Sequence, residues 1–238
     1  MFFRARFLVS VLAAWCLIAG SACSQAQGTA GASEPVIRHV MVIGDSISLG
    51  YGVLGDGPHC SGAPIYDDPG SAYPALLARR LGAELHIRAR SGMGLVRNFG
   101  GSSGETAMEL LDRAGFPENV DVAIVHLGTN DFYQYDPGTL FENTYDGLLE
   151  DLRGRYPAAT ILLLSGPMLS GEDREKLDAA VSLIASRQQS NGADVQHVLL
   201  ANSQKEDGRY GCDWHPGVAT QSYAADVILK QIVPEQIR

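Results

Sequence analysis

Apolar residues along this chain alternate between two textures. Short segments rich in apolar residues, Val36 to Ile43, Glu84 to Ala89, Val122 to Leu127, Thr160 to Leu164 and Val195 to Leu200, read as strands. Between them, Ser71 to Leu81, Glu105 to Ala114, Leu140 to Arg155 and Glu172 to Ser190 carry apolar residues at helical spacing, and Gly217 to Ile232 reads as a last helix. Strands alternating with helices predict an α/β fold, here a flavodoxin-like three-layer α/β/α sandwich on a five-stranded parallel sheet. Crossover helices then cover both faces, and the loops leaving the strands gather on one rim.

The first 35 residues do not follow this pattern. Arg4 and Arg6 precede an apolar run, Phe7 to Ile18, which ends in Ala19-Gly20-Ser21-Ala22-Cys23. Those are the three regions of a secretory signal, expected over residues 1–22, and they place the protein outside the cytoplasm, periplasmic or secreted. Cys23 has two readings: a lipidated N-terminus tethering the protein to a membrane, or a residue beside an ordinary cleavage site. Ser21 and Ala22 suit a lipobox, whereas Gly20 stands where a branched aliphatic residue is usual. Residues 23–35 form a Gly/Ala/Ser-rich spacer, and 36–238 the folded domain.

With 45% hydrophobic and 19% charged residues, the 238-residue chain needs only one soluble domain. Its net charge is −9, and loss of Arg4 and Arg6 with the leader takes it to −11. That balance argues against nucleic acid or an anionic membrane surface as the main partner. Cys60 and Cys212 are the cysteines left in the folded domain. In an oxidising compartment they most simply form a disulfide, closing a loop of roughly 150 residues worth on the order of 4 kcal/mol; two buried free thiols are the alternative. The six histidines are scattered with no ligand spacing, so neither a metal nor a cofactor is expected.

Four loops on the expected rim hold the candidate chemistry. After the first strand comes Gly44-Asp45-Ser46, which on its own reads as a strand turning into a helix capped by Asp45 or Ser46. After the second comes Ser91-Gly92-Met93-Gly94-Leu95, whose glycines let backbone N–H groups approach a ligand or simply make a tight turn. The third is Gly128-Thr129-Asn130-Asp131, and the last Asp213-Trp214-His215-Pro216, directly before the final helix. A serine, an imidazole and several donors on one rim are what acyl transfer requires. Ser46 would attack, His215 would take its proton, and the N–H groups of Ser46 and Gly92 with the Asn130 amide would meet the oxyanion.

These residues resemble the four sequence blocks of the GDSL/SGNH hydrolases. Gly50-Tyr51-Gly52, Ala72-Tyr73-Pro74-Ala75-Leu76, Ser91-Gly92-Met93-Gly94-Leu95 and Asp213-Trp214-His215-Pro216 further resemble carbohydrate esterase family 2. The resemblance implies an SGNH fold and removal of acetyl groups from polysaccharide, with Ser46 as nucleophile, His215 as base, and Ser46, Gly92 and Asn130 as oxyanion hole. Two departures accompany it. Family 2 esterases generally carry an N-terminal β-sandwich where this chain has a leader and spacer. Most of the superfamily places the third triad member three residues before the histidine, where Cys212 stands; Asp213 is two before and is expected as the third catalytic residue, its carboxylate orienting His215, the alternative being a solvated loop residue beside a Ser-His dyad whose base a backbone carbonyl orients. Tyr51, Phe132, Tyr133, Tyr135 and Trp214 crowd the expected rim, where aromatic faces suit sugar rings; ordinary core or rim packing is the alternative. The competing functions are an esterase or lysophospholipase for longer acyl chains and a catalytically idle glycan-binding domain.

Overall fold

The computed structural model describes residues 36–202 and 209–233. The expected leader, Cys23 and the spacer lie outside the described residues. Five strands, β1 (His39–Gly44), β2 (Glu84–Ala89), β3 (Val122–Val125), β4 (Thr160–Ser165) and β5 (Val195–Leu199), form one all-parallel sheet in the order β2-β1-β3-β4-β5. Five longer helices cover it: α2 (Tyr73–Leu81), α3 (Ala107–Ala114), α5 (Thr139–Arg155), α6 (Gly171–Ser190) and α7 (Val218–Ile232). Two single-turn helices, α1 (Ser46–Leu49) and α4 (Thr129–Phe132), follow β1 and β3. Among the described residues, no helix is long and apolar enough to cross a membrane.

Alternation along the strands splits the core in two. Val40 and Val42 of β1 pack with Tyr73 and Leu77 of α2 and Ala225 and Ile228 of α7. Met41 and Ile43 face the other way, onto Leu111 of α3, Tyr145 and Leu148 of α5, and Val181 and Ile184 of α6. Both faces of the central strands are thus dry, which is why they read as unbroken apolar runs. Helices on both faces make the expected three-layer α/β sandwich.

The strand order places the topological switch point between β1 and β3, where successive crossovers leave toward opposite faces and a crevice opens at the strands' carboxyl ends. Ser46 follows β1 and Asn130 follows β3, one on each side of that crevice. Cys60 and Cys212 are bridged by a disulfide, tying the segment after α1 to the loop before α7.

Candidate active site

Ser46, the expected nucleophile, follows a strand that turns abruptly into a helix. Gly44 is required there, because a Cβ at that position would lie 2.1 Å from Ser48 Oγ. Asp45 has extended backbone and caps α1, its Oδ1 accepting the Ile47 N–H at 2.9 Å. Ser46 opens the helix, is 7% exposed, and lines a cleft of about 870 Å³. Its Oγ stands 2.9 Å from His215 Nε2.

His215 is aimed by backbone. Its Nδ1 lies 3.1 Å from the Asp213 carbonyl oxygen, which accepts the ring N–H when Nε2 serves as base. The preceding 3-10 turn, Cys212–Trp214, holds Asp213 at φ 49° and Trp214 at φ 62°, and this left-handed turn presents the carbonyl to the ring. The turn is fixed on all sides: the Cys212 N–H donates to Gly52 O, the Asp213 N–H to Cys60 O, and the Gly211 N–H to His215 O. The Asp213 carboxylate points elsewhere, its Oδ2 accepting the Tyr51 hydroxyl at 2.9 Å and the Gly62 N–H at 2.7 Å. The expectation that this carboxylate orients His215 is therefore corrected to its own carbonyl; the strained turn leaves the side chain facing Tyr51. Those two bonds, the Gly62 N–H first, hold the Asp213 carboxyl below the usual carboxylate range. Tyr51 in turn packs its ring on the imidazole, with centroids 4.5 Å apart.

Burial draws the His215 pKa below its ordinary value, against the opposing effect of the Asp213 carbonyl and carboxylate. The imidazole is consequently neutral at neutral pH, as a base must be.

Opposite Ser46, Gly92 sits at φ 74°, a left-handed position suited to glycine. Among the described residues, the Ser46 and Gly92 N–H groups have no protein acceptor, and both residues line the cleft. Asn130 also lines it, but its Nδ2 donates inward, to Met93 O at 2.8 Å and to Asp45 Oδ2 at 3.1 Å. An amide expected to point into the cleft is thus engaged by two buried acceptors that would otherwise be unpaired. Burial, reinforced by the nearby Asp131 carboxylate, pushes the Asp45 pKa up to about 7. Asp131 is a site residue the sequence did not single out. Its carboxylate accepts the N–H groups of Leu95, Val96 and Arg97 and so fixes the loop that carries Gly92.

The cleft walls are aromatic and polar. Tyr51, Tyr210 and Trp214 stand on the histidine side, Phe99 and Tyr133 on the other, with Ser170, Asp173 and Asn202 among the polar groups. Trp214 is 44% exposed and is met edge-on by His59 and Tyr210, while Phe99 packs on Tyr133. Phe132, expected at the rim, is instead buried against Phe141, because the one-turn helix α4 points it into the core. Tyr135 lies under the Arg97 guanidinium.

Residues 42–222 match the family model described as the GDSL-like Lipase/Acylhydrolase family. The chain belongs to that family. Within the family, it is similar to the cellulase/esterase CelE of Acetivibrio thermocellus, 32% identical over 213 residues, covering 84% of this chain and 26% of CelE. It is also similar to an acetylxylan esterase / glucomannan deacetylase of Cellvibrio japonicus, 28% identical over 207 residues, covering 79% of this chain and 55% of that protein. The chain therefore spans about a quarter to somewhat over half of these curated relatives. Among solved structures, a family two carbohydrate esterase from Clostridium thermocellum in complex with cellohexaose superposes with TM-score 0.76 at 31% identity, covering 85% of this chain and 66% of that one. A carbohydrate esterase family 2 enzyme from Corynascus thermopiles (Myceliophthora fergusii) gives TM-score 0.72 at 30% identity, covering 85% and 67%.

Proposed function

We propose that this protein is an exported serine esterase that removes O-acetyl groups from carbohydrate, using Ser46 and His215 through an acetyl-enzyme. The observation that carries the reading is the 2.9 Å Oγ–Nε2 contact beside two unpaired backbone N–H groups in one cleft. His215 takes the Ser46 proton as Oγ attacks the acetyl carbon, and charge develops on the carbonyl oxygen. The Ser46 and Gly92 N–H groups receive that oxyanion. Asn130 supplies a third donor by turning the hydrogen it holds on Asp45 at 3.1 Å, the longer of its two bonds, toward the cleft. The protonated imidazole gives its proton to the leaving sugar oxygen. It then deprotonates the water that attacks the acetyl-enzyme and releases acetate.

Several features favour a carbohydrate leaving group. A cleft of about 870 Å³ holds far more than an acetyl group. Its exposed Trp214 and Tyr133 offer flat apolar faces, and Asp173, Asn202 and Ser170 can bond ring hydroxyls. The relatives named above act on, or were captured with, carbohydrates. Export follows from the leader, and lipidation at Cys23 would add a membrane tether; membrane fractionation of the wild type against Cys23→Ser separates tethered from free protein.

Acetate release from a panel of acetylated polysaccharides, run beside a nitrophenyl-ester chain-length series, tests the reading. Strong preference for acetyl on glycan, abolished by Ser46→Ala, is expected. Rates that rise with acyl length would make it a longer-chain esterase. Equal acetate release by wild type and Ser46→Ala would leave a binding domain without catalysis.

A further inference from the structure

At the opposite end of the sheet, β1 and β2 pair with His39 beside Glu84 and Met41 beside His86. Neighbours in register, and residues two apart on one strand, share a face, so His39, Glu84 and His86 stand together on the face that α3 partly covers. His39 joins Glu84 and His86 only through the pairing of β1 with β2, which sequence spacing does not show. His39 Nδ1 is 3.7 Å from Glu84 Oε2, and His86 Nε2 is 3.5 Å from Glu84 Oε1. The two imidazoles stack with centroids 6.2 Å apart, and the three ligand atoms all lie within 4.8 Å of one another.

We infer that His39, Glu84 and His86 form a binding site for a first-row divalent transition ion, with Zn²⁺ as the reference case. Ligands about 2.0–2.2 Å from a tetrahedral ion stand about 3.3–3.6 Å from one another; each histidine nitrogen is already near that distance from one of the two Glu84 oxygens, and the set with one atom per residue, within 4.8 Å, closes onto an ion by side-chain rotation. Two imidazoles and one carboxylate suit Zn²⁺, Ni²⁺ or Cu²⁺, whereas Mg²⁺ and Ca²⁺ take all-oxygen sets. The histidine side chains are mostly shielded, at 29% and 23% exposure, and Glu84 at 64% leaves the outward position to water. Arg88, next on that face of β2, is drawn aside: its Nε donates to Gly115 O at 2.9 Å. His39 itself is anchored, its backbone N–H donating to Asp121 at 2.9 Å.

The ion would clamp the edge strand β2 to β1. It would stabilise the native register by mass action without touching the reaction, since six-residue strands put it about 15–20 Å from the catalytic rim. The test is Zn²⁺ titration calorimetry on the untagged full-length chain, beside the visible spectrum of Co²⁺ as a probe. One site is expected, with a Tm rise of about 5 °C at saturation. His39→Ala and His86→Ala should each lower affinity at least about tenfold, abolish the tetrahedral Co²⁺ band, and leave ester hydrolysis unchanged. Should either alanine variant fold poorly, His39→Gln, His86→Gln and Glu84→Gln give the same readout. Affinity unchanged in these variants, or Zn²⁺ uptake lost only in His59→Ala or His215→Ala, would overturn the proposal, as would absence of binding at about 1 mM Zn²⁺.

Discussion

The two halves of the candidate site are built on different principles. On the nucleophile side, Asp45, Asn130 and Asp131 are buried side chains that bond one another or nearby backbone, and the geometry of Ser46 and Gly92 depends on those side chains. On the base side, His215 is oriented by a carbonyl in a left-handed turn, braced by main-chain bonds and a disulfide, while the Asp213 side chain faces a partly exposed tyrosine. The first half is specified by residue identity in the interior. The second is specified by backbone shape, and so tolerates a changed side chain better than a cut tether.

That contrast can be broken from either side. Ser46→Ala and His215→Ala remove the reacting groups themselves, and each should lower kcat/KM by at least about 10⁴-fold with little change in Tm. Asn130→Ala comes next. Losing an oxyanion donor costs about 10²–10³-fold in kcat, and steady-state kinetics on nitrophenyl acetate, with circular dichroism to confirm folding, checks it. Cys60→Ser cuts the tether beside the His215 turn. It should cost about 2–5 kcal/mol in denaturant unfolding and about tenfold in kcat, because Cys212 then loses its covalent anchor.

A smaller effect is read in the pH dependence of stability. The Asp45 carboxyl has a folded pKa of about 7, above its unfolded value near 3.8. Native protein therefore holds this proton more tightly. The resulting stability is present below about pH 4 and is lost as pH rises through 7. In Asp45→Asn that slope disappears, whatever the variant's absolute stability, and urea midpoints measured at pH 5 and pH 8 reveal the difference.

The elements that a sequence can disclose are those with a local signature. The central strands β1, β3 and β4 were legible because their residues are apolar on both faces, and the Asp45 cap because a capping residue follows a strand at once. Ser46, Gly92, Asn130 and His215 do share one cleft, since parallel topology sends every strand's carboxyl end to the same rim. Other features depend on three-dimensional facts that no spacing encodes. Asp213 meets His215 Nδ1 with its carbonyl rather than its carboxylate, and residue type says nothing about which oxygen a turn will present. Phe132 faces the core while Phe99 and Tyr133 face the cleft, because a single helical turn is too short to carry a readable period. Asp131 was not singled out because its partners are backbone N–H groups, which have no residue identity.

The decisive measurement is the pH profile of kcat/KM for wild type, Asp213→Asn and His215→Ala on one acetyl ester. If the backbone carbonyl orients the base, Asp213→Asn keeps activity within about tenfold of wild type while His215→Ala loses it. The wild-type acid limb should fall below the ordinary imidazole value of 6.5, with activity lost as pH drops through it. In Asp213→Asn that limb should move lower still, since the carboxylate charge that raises the His215 pKa is gone. A loss of 10³-fold or more in Asp213→Asn would contradict this and make the carboxylate the third member of a triad.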